Sequence, residues 1–139
     1  MKKKPIDIDA LVAEAVPMRE NPQLAFTMPV RTVSEANERE HWRRRHNRKK
    51  EQQEDTHKAW KKAKGDRPLF LSLLPSCHVR LVRVGPRRLD TDNLAGSFKH
   101  VQDAIAIELG VDDGDSWVKW EYEQVAVGKR VYSVRVEVY

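Results

Sequence analysis

Apolar residues alternate with others over residues 23–33, where Leu24, Phe26, Met28 and Val30 keep a period of two, which predicts a first strand. Ahead of it, Leu11, Val12, Ala15 and Val16 have helical spacing and Pro17 ends the pattern. Residues 1–22 therefore read as an N-terminal extension, either a short docking helix or a mobile arm, and residues 23–139 as the main domain. From Ser34, a plausible N-cap with Glu35 and Glu38 in the following turn, helix-favouring residues run to Lys64, with Gly65 and Pro68 beyond. This stretch has few apolar residues after Ala36 (Trp42, Ala59, Trp60 and Ala63), so the pattern predicts a long exposed helix, polar all round, and not a core helix.

Residues 69–74 are mostly apolar and suit a short strand or lead-in. In residues 78–84, Val79 and Leu81 face one way and Val82 and Val84 the other, which suits a central strand. A helix then starts at Thr91 or Asp92 and runs to Leu109, with Gly110 after its end and Leu94, Phe98, Val101, Ile105 and Leu109 as its apolar stripe. Residues 117–127 form a third strand, Gly128-Lys129 a tight hairpin, and residues 131–139 the last strand, with Tyr132, Val134, Val136 and Val138 on one face. The fold expected is α+β: a small mixed sheet of about four strands, one core helix packed on it, and a long basic exposed helix.

The chain length of 139 residues suits one domain with a modest core, and the net charge of +5 makes a polyanion, nucleic acid first, the partner to test. A single cysteine, Cys77, excludes an intramolecular disulfide and any zinc site with two thiolates. No apolar run approaches the ~20 residues that span a bilayer. The Met1-Lys2-Lys3-Lys4 start leads into Asp7 and Asp9 with no apolar segment, so the expected location is the cytoplasm.

Asp90-Thr91-Asp92-Asn93 carries the strongest chemical signal. Two aspartates at i and i+2 sit at a strand-to-helix joint; if extended geometry persists that far, both carboxylates leave on one side. Their repulsion is relieved by a cation, and hard oxygen ligands suit Mg²⁺, with Mn²⁺ as a substitute. On one continuous helix at ~100° per residue, Lys99 and Asp103 fall within about 20° of Asp92 around the axis. A lysine there can stabilise the charge that builds up in phosphoryl transfer. Asp112, Asp113 and Asp115 crowd the helix's C-terminal end, where a cation would again relieve repulsion, but the cluster does not follow the EF-hand pattern. Ordinary capping and turn roles would also account for all these aspartates.

The predicted exposed helix holds eleven Lys or Arg against six Asp or Glu between Ser34 and Lys64, with Arg43, Arg44, Arg45, Arg48, Lys49 and Lys50 at its middle. These residues, with Arg87 and Arg88 beside the aspartates, are candidate phosphate contacts; a solvated helix with i,i+4 pairs is the plainer reading. Trp42 and Trp60, eighteen residues apart, fall on one face and suit docking onto the sheet or a partner subunit. His46-Asn47 lacks the strand-turn-helix frame of an HNH nuclease.

Asp-x-Asp-Asn, a helix with Lys and Asp-Ala, and Asp-Asp in the next turn together resemble the RusA-type Holliday-junction resolvases. That family orders these residues as Asp-x-Asp-Asn-x-x-Lys-x-x-x-Asp-Ala-Leu, then a short gap and Asp-Asp. The resemblance runs from about Leu24 to Tyr139, and its specific part spans residues 88–115. It implies a homodimer that binds four-way DNA junctions and cuts symmetric phosphodiesters with Mg²⁺. Asp90, Asp92 and Asp113 match the catalytic, metal-binding carboxylates, with Asp112 the alternative to Asp113. Lys99 takes the lysine role, and Asn93 and Asp103 are supporting residues. One departure stands out: Lys99 is six residues after Asn93, where the family has three, and Gly96 occupies the family's position. Two other functions stay open: a non-catalytic DNA-binding phage accessory protein of the same fold, and a nuclease for other branched or flapped nucleic acids.

Overall fold

The computed structural model describes all residues except 1–6, 18, 20, 36–39, 70–73 and 113. Eight elements follow one another: α1 (Ile8–Ala15), β1 (Leu24–Met28), α2 (Trp42–Lys64), β2 (Cys77–Gly85), α3 (Thr91–Ser97), α4 (Lys99–Leu109), β3 (Val118–Ala126) and β4 (Ser133–Val138). The class is α+β, with a mixed four-stranded sheet in the order β1-β4-β2-β3.

β2 is interior, as its two apolar faces require: Val79, Leu81, Val82 and Val84 are all buried. Its neighbours correct the hairpin expected at Gly128-Lys129. β3 pairs with β2 in parallel, from Cys77↔Val118 to Gly85↔Ala126, while β4 lies antiparallel to β2 on the other side. The turn at Gly128 therefore carries the chain past the end of β2, and α3–α4 form the crossover that a parallel pair needs. Turn residues mark where a chain reverses; they do not say which strand it pairs with next.

One face of the sheet carries Leu24, Met28, Val79, Leu81, Val118, Val134, Val136 and Val138, and packs against Trp60, Leu94, Phe98, Val101 and Ile105 from the helices. The expected stripe of residues 94–109 does hold its helices to the sheet, but as two helices. Phe98 (φ −91°, ψ 1°) breaks the chain between α3 and α4, fully buried and stacked on Tyr122 with ring centroids 5.9 Å apart. Ser97 Oγ donates to the Leu94 carbonyl at 2.6 Å, and Gly96 is a poor helix former.

The long helix also differs from expectation. It begins at Trp42, not after Ser34, and His41 Nδ1 caps it by accepting from the Arg43 N–H at 3.2 Å. Nor is it polar all round. Gln52, Thr56 and Trp60, at i+4 spacing, make a buried seam, and Gln52 Nε2 donates to the Arg31 carbonyl at 2.9 Å. Trp60 is 2% exposed and Trp42 66%, so only one of the paired tryptophans docks the helix.

The opposite face of the sheet is covered by the N-terminal segment. Asp7 caps α1 by accepting from the Ala10 N–H at 3.1 Å, and Val12 and Val16 are buried. Arg135 donates to the Val16 carbonyl at 2.6 Å, and Arg80 Nη1 to the Glu137 carboxylate at 2.8 Å. Residues 69–74 fall largely outside the described residues.

Candidate active site and basic cleft

β2 ends at Gly85, and the next five residues are held from two strands. Arg83 Nη1 donates to the Arg87 carbonyl at 2.8 Å. Gln124, on β3, grips Leu89 with both ends of its amide: Oε1 accepts from the Leu89 N–H and Nε2 donates to the Leu89 carbonyl, each at 2.8 Å. A Cβ at Gly85 would sit 2.9 Å from Arg83 Nη1, so the bare glycine leaves room for that guanidinium. Neither Gln124 nor Arg83 stood out in the sequence, because both act through backbone groups distant along the chain or folded back onto it.

This loop presents the aspartates. Asp90 is the N-cap of α3 in extended conformation (φ −58°, ψ 143°), and the Asn93 N–H bonds its carbonyl at 2.9 Å. Its carboxylate makes no capping hydrogen bond, and it is exposed, as is Asp92 in the first helical turn. The extended geometry that would align two neighbouring carboxylates stops at Asp90; Thr91 already belongs to the helix. The break at Phe98 likewise removes the continuous helix on which Asp92, Lys99 and Asp103 shared a face. Lys99 is exposed at the start of α4, with Asp103 half-buried one turn on and Asn93 half-buried in α3.

Asp112 is exposed in the turn after Gly110, whose left-handed conformation (φ 73°) ends α4. Asp115 Oδ1 accepts from the Trp117 N–H at 2.9 Å, a turn role and not a ligand role. Asp113 lies outside the described residues. Among the described residues no group of three or more Asp, Glu, His or Cys is placed to hold a metal ion. Asp90 and Asp92, exposed carboxylates that accept no hydrogen bond among the described residues, fit a hydrated Mg²⁺, which takes one or two carboxylates and completes its shell with water and substrate phosphate.

Beside the loop lies an open cleft of about 780 Å³, walled by residues 31–34, 86–89, 128–130 and 132. Among the described residues it is lined by Arg31, Arg83, Arg87, Arg88, Lys129 and Arg130, and by no Asp or Glu. Arg83 is 6% exposed and has no carboxylate partner among the described residues. Burial pushes its guanidinium below the usual arginine range; Tyr132 opposes this shift and Arg31 adds to it. Arg31 stacks over the Tyr132 ring at 4.3 Å. Of these cations, only Arg87 and Arg88 had been singled out in the sequence. Arg31, Arg83, Lys129 and Arg130 come from three other segments, and only the sheet brings them together.

On α2, Arg43, Arg44, Arg45, Lys49 and Lys50 are exposed. Arg48 is not available in the same way: it donates to Glu35 at 2.8 and 2.6 Å and also to Glu40. These pairs raise its basicity further. His100, buried beneath them, lies 3.3 Å from Glu35, and burial pushes its pKa below the usual histidine value.

Comparison with family models, with curated proteins and with solved structures finds no match to this chain. No helix among the described residues is long and apolar enough to cross a membrane.

Proposed function

We propose that this chain is a Mg²⁺-dependent DNA endonuclease of the RusA type, acting on four-way junctions as a homodimer. The observation that carries the reading is positional. Asp90 and Asp92, both exposed and with no carboxylate hydrogen bond among the described residues, lead out of a loop fixed by Arg83 and Gln124, beside a cleft whose described lining holds six cations and no acid. Asp90 and Asp92 would hold the ion, with Asp113, or Asp112, as the further carboxylate. The bound ion supplies polarisation of the scissile phosphate and a more acidic attacking water. Gln124 and Arg83 are positioning residues: they fix the backbone on which Asp90 stands. Lys99 would offset negative charge on the phosphate, with Asp103 orienting it.

The deciding experiment is cleavage of a synthetic four-way junction, beside linear duplex and single strand, in Mg²⁺ and in EDTA. Mg²⁺-dependent symmetric nicking of the junction, abolished by Asp90→Asn with binding retained, is the expected result. Near wild-type cleavage by Asp90→Asn overturns the site.

The break at Phe98 and the shifted Lys99 favour one second reading: a DNA-binding protein of the same organisation without catalysis. Tight junction binding with no cut in either Mg²⁺ or Mn²⁺ would establish it. Cleavage confined to flaps or other branches would instead reassign the substrate.

A further inference from the structure

We infer that the cleft lined by Arg31, Arg83, Arg87, Arg88, Lys129 and Arg130 seats the sugar-phosphate backbone of the strand being cut, and that this cleft, not the basic face of α2, is the principal nucleic-acid contact. The inference deepens the endonuclease reading and rests on it for the identity of the strand as DNA.

The first support is the state of Arg83. A desolvated cation is costly unless a counter-charge offsets it. The other buried arginines have one: Arg80 pairs with Glu137 and Glu123, and Arg135 lies 3.6 Å from Glu137. Among the described residues Arg83 has only the Arg87 carbonyl as a hydrogen-bond partner, and no carboxylate; Tyr132 favours its charge and the like charge of Arg31 opposes it. A site that gathers six cations and, among the described residues, no acid is suited to an anion supplied from outside.

Shape and composition narrow that anion. The cleft is open along its length and its outer cations, Arg87, Arg88, Lys129 and Arg130, are all exposed. Five exposed cations along a trough, Arg31 among them, with the buried Arg83 inside it, suit a run of phosphodiesters better than one small anion. The wall adds two hydroxyls, Thr32 Oγ1 and Ser34 Oγ, that have no hydrogen-bond partner among the described residues. The trough also leads to the chemistry, because Leu89 lines it and Asp90 is the next residue. By contrast, α2 has its one part-buried arginine, Arg48, already engaged by two glutamates.

The test is binding in EDTA, read by fluorescence polarisation across a salt series, with four-way junction, linear duplex and RNA of the same sequence. The variants are Lys129→Ala/Arg130→Ala, at exposed positions of the turn before β4, and Lys49→Ala/Lys50→Ala on α2. The cleft variant should weaken junction binding about tenfold and flatten the salt dependence by about 2 in log–log slope, one per lost phosphate contact. The α2 variant should move affinity less than the cleft variant does. Unchanged affinity and slope in the cleft variant, or a larger loss in the α2 variant, overturns the inference. So does displacement of the DNA by millimolar inorganic phosphate, which would mark a small-anion site. Equal, cleft-dependent binding of RNA supports the phosphodiester site and removes its restriction to DNA. Cleft-dependent DNA binding without cleavage in Mg²⁺ leaves this inference standing while the endonuclease reading falls.

Discussion

Arg80 and Arg83 stand three residues apart on the same strand, both buried, and have opposite surroundings. An odd offset on a strand sends side chains to opposite faces. On one face, Arg80 meets Glu137, which is fully buried, and Glu123; Arg135 joins them, and Tyr139 O–H donates to Glu137. Arg19 closes the group from the N-terminal segment, 2.7 Å from Glu121 and 3.3 Å from Glu123. On the other face, Arg83 opens onto a cleft without a single carboxylate among its described lining residues. The first arrangement is electrically complete within the chain; the second is not. A buried cation whose charge is already balanced holds structure, and one left unbalanced is free to hold something else.

The largest way to break this comparison is Arg80→Met. It leaves the Glu137 carboxylate buried without its closest cation and should cost about 3 kcal/mol of stability or more in urea unfolding. A loss under about 1 kcal/mol would mean that Arg135 and Tyr139 suffice and that the closed face is not a network.

Gln124→Ala comes next. It removes both hydrogen bonds to Leu89 and should destabilise the fold by about 1–2 kcal/mol. Its informative effect is on chemistry: if the loop positions Asp90, junction cleavage falls in kcat with little change in junction affinity. Equal losses in both would make Gln124 a structural residue only.

Arg83→Met sharpens the contrast with Arg80→Met. Removing an uncompensated buried charge relieves its desolvation, so stability should stay within about 1 kcal/mol of wild type. Nucleic-acid affinity should nevertheless drop. A strong loss of stability would show that the Arg87 carbonyl contact matters more than the charge.

The smallest effect is in pH. The hydrogen bond from Arg80 holds the Glu123 carboxyl below its ordinary value of 4.5. Its folded value is thus lower than its unfolded one, and the stabilisation is complete above about pH 4.5 and lost as pH falls through the folded value. Amide exchange on acidification should accelerate first on the face of β2 and β4 that carries Arg80 and Glu137. The cleft walls at 86–89 and 128–130, whose described lining residues include no carboxylate, should not respond in that range.

Much of the fold was legible because burial repeats along the chain. The two apolar faces of residues 79–84 placed β2 inside the sheet, and the stripe from Leu94 to Leu109 marked the helical layer. Pairing was not legible: the Gly128 turn looks the same whether the next strand returns beside β3 or crosses to the far side of β2. Nor was the seam of α2, since Gln52 and Thr56 are polar and become buried only because the Arg31 carbonyl and the Gln52 carbonyl accept their hydrogen bonds. The break at Phe98 followed from packing on Tyr122, a residue far along the chain.

The sequence by itself determined the α+β class, the central strand, the joint that carries Asp90 and Asp92, and the excess of positive charge. These are local properties, set by side-chain period, capping chemistry and composition. Only the tertiary structure decided which arginines are neutralised, that Arg48 is paired with carboxylates while Arg83 meets none among the described residues, and that Arg31, Arg83 and residues 87, 88, 129 and 130 share one cleft. Charge balance depends on distance in space, and strand order, which brings residues 31 and 130 together, is settled by pairings that no single segment of the chain encodes.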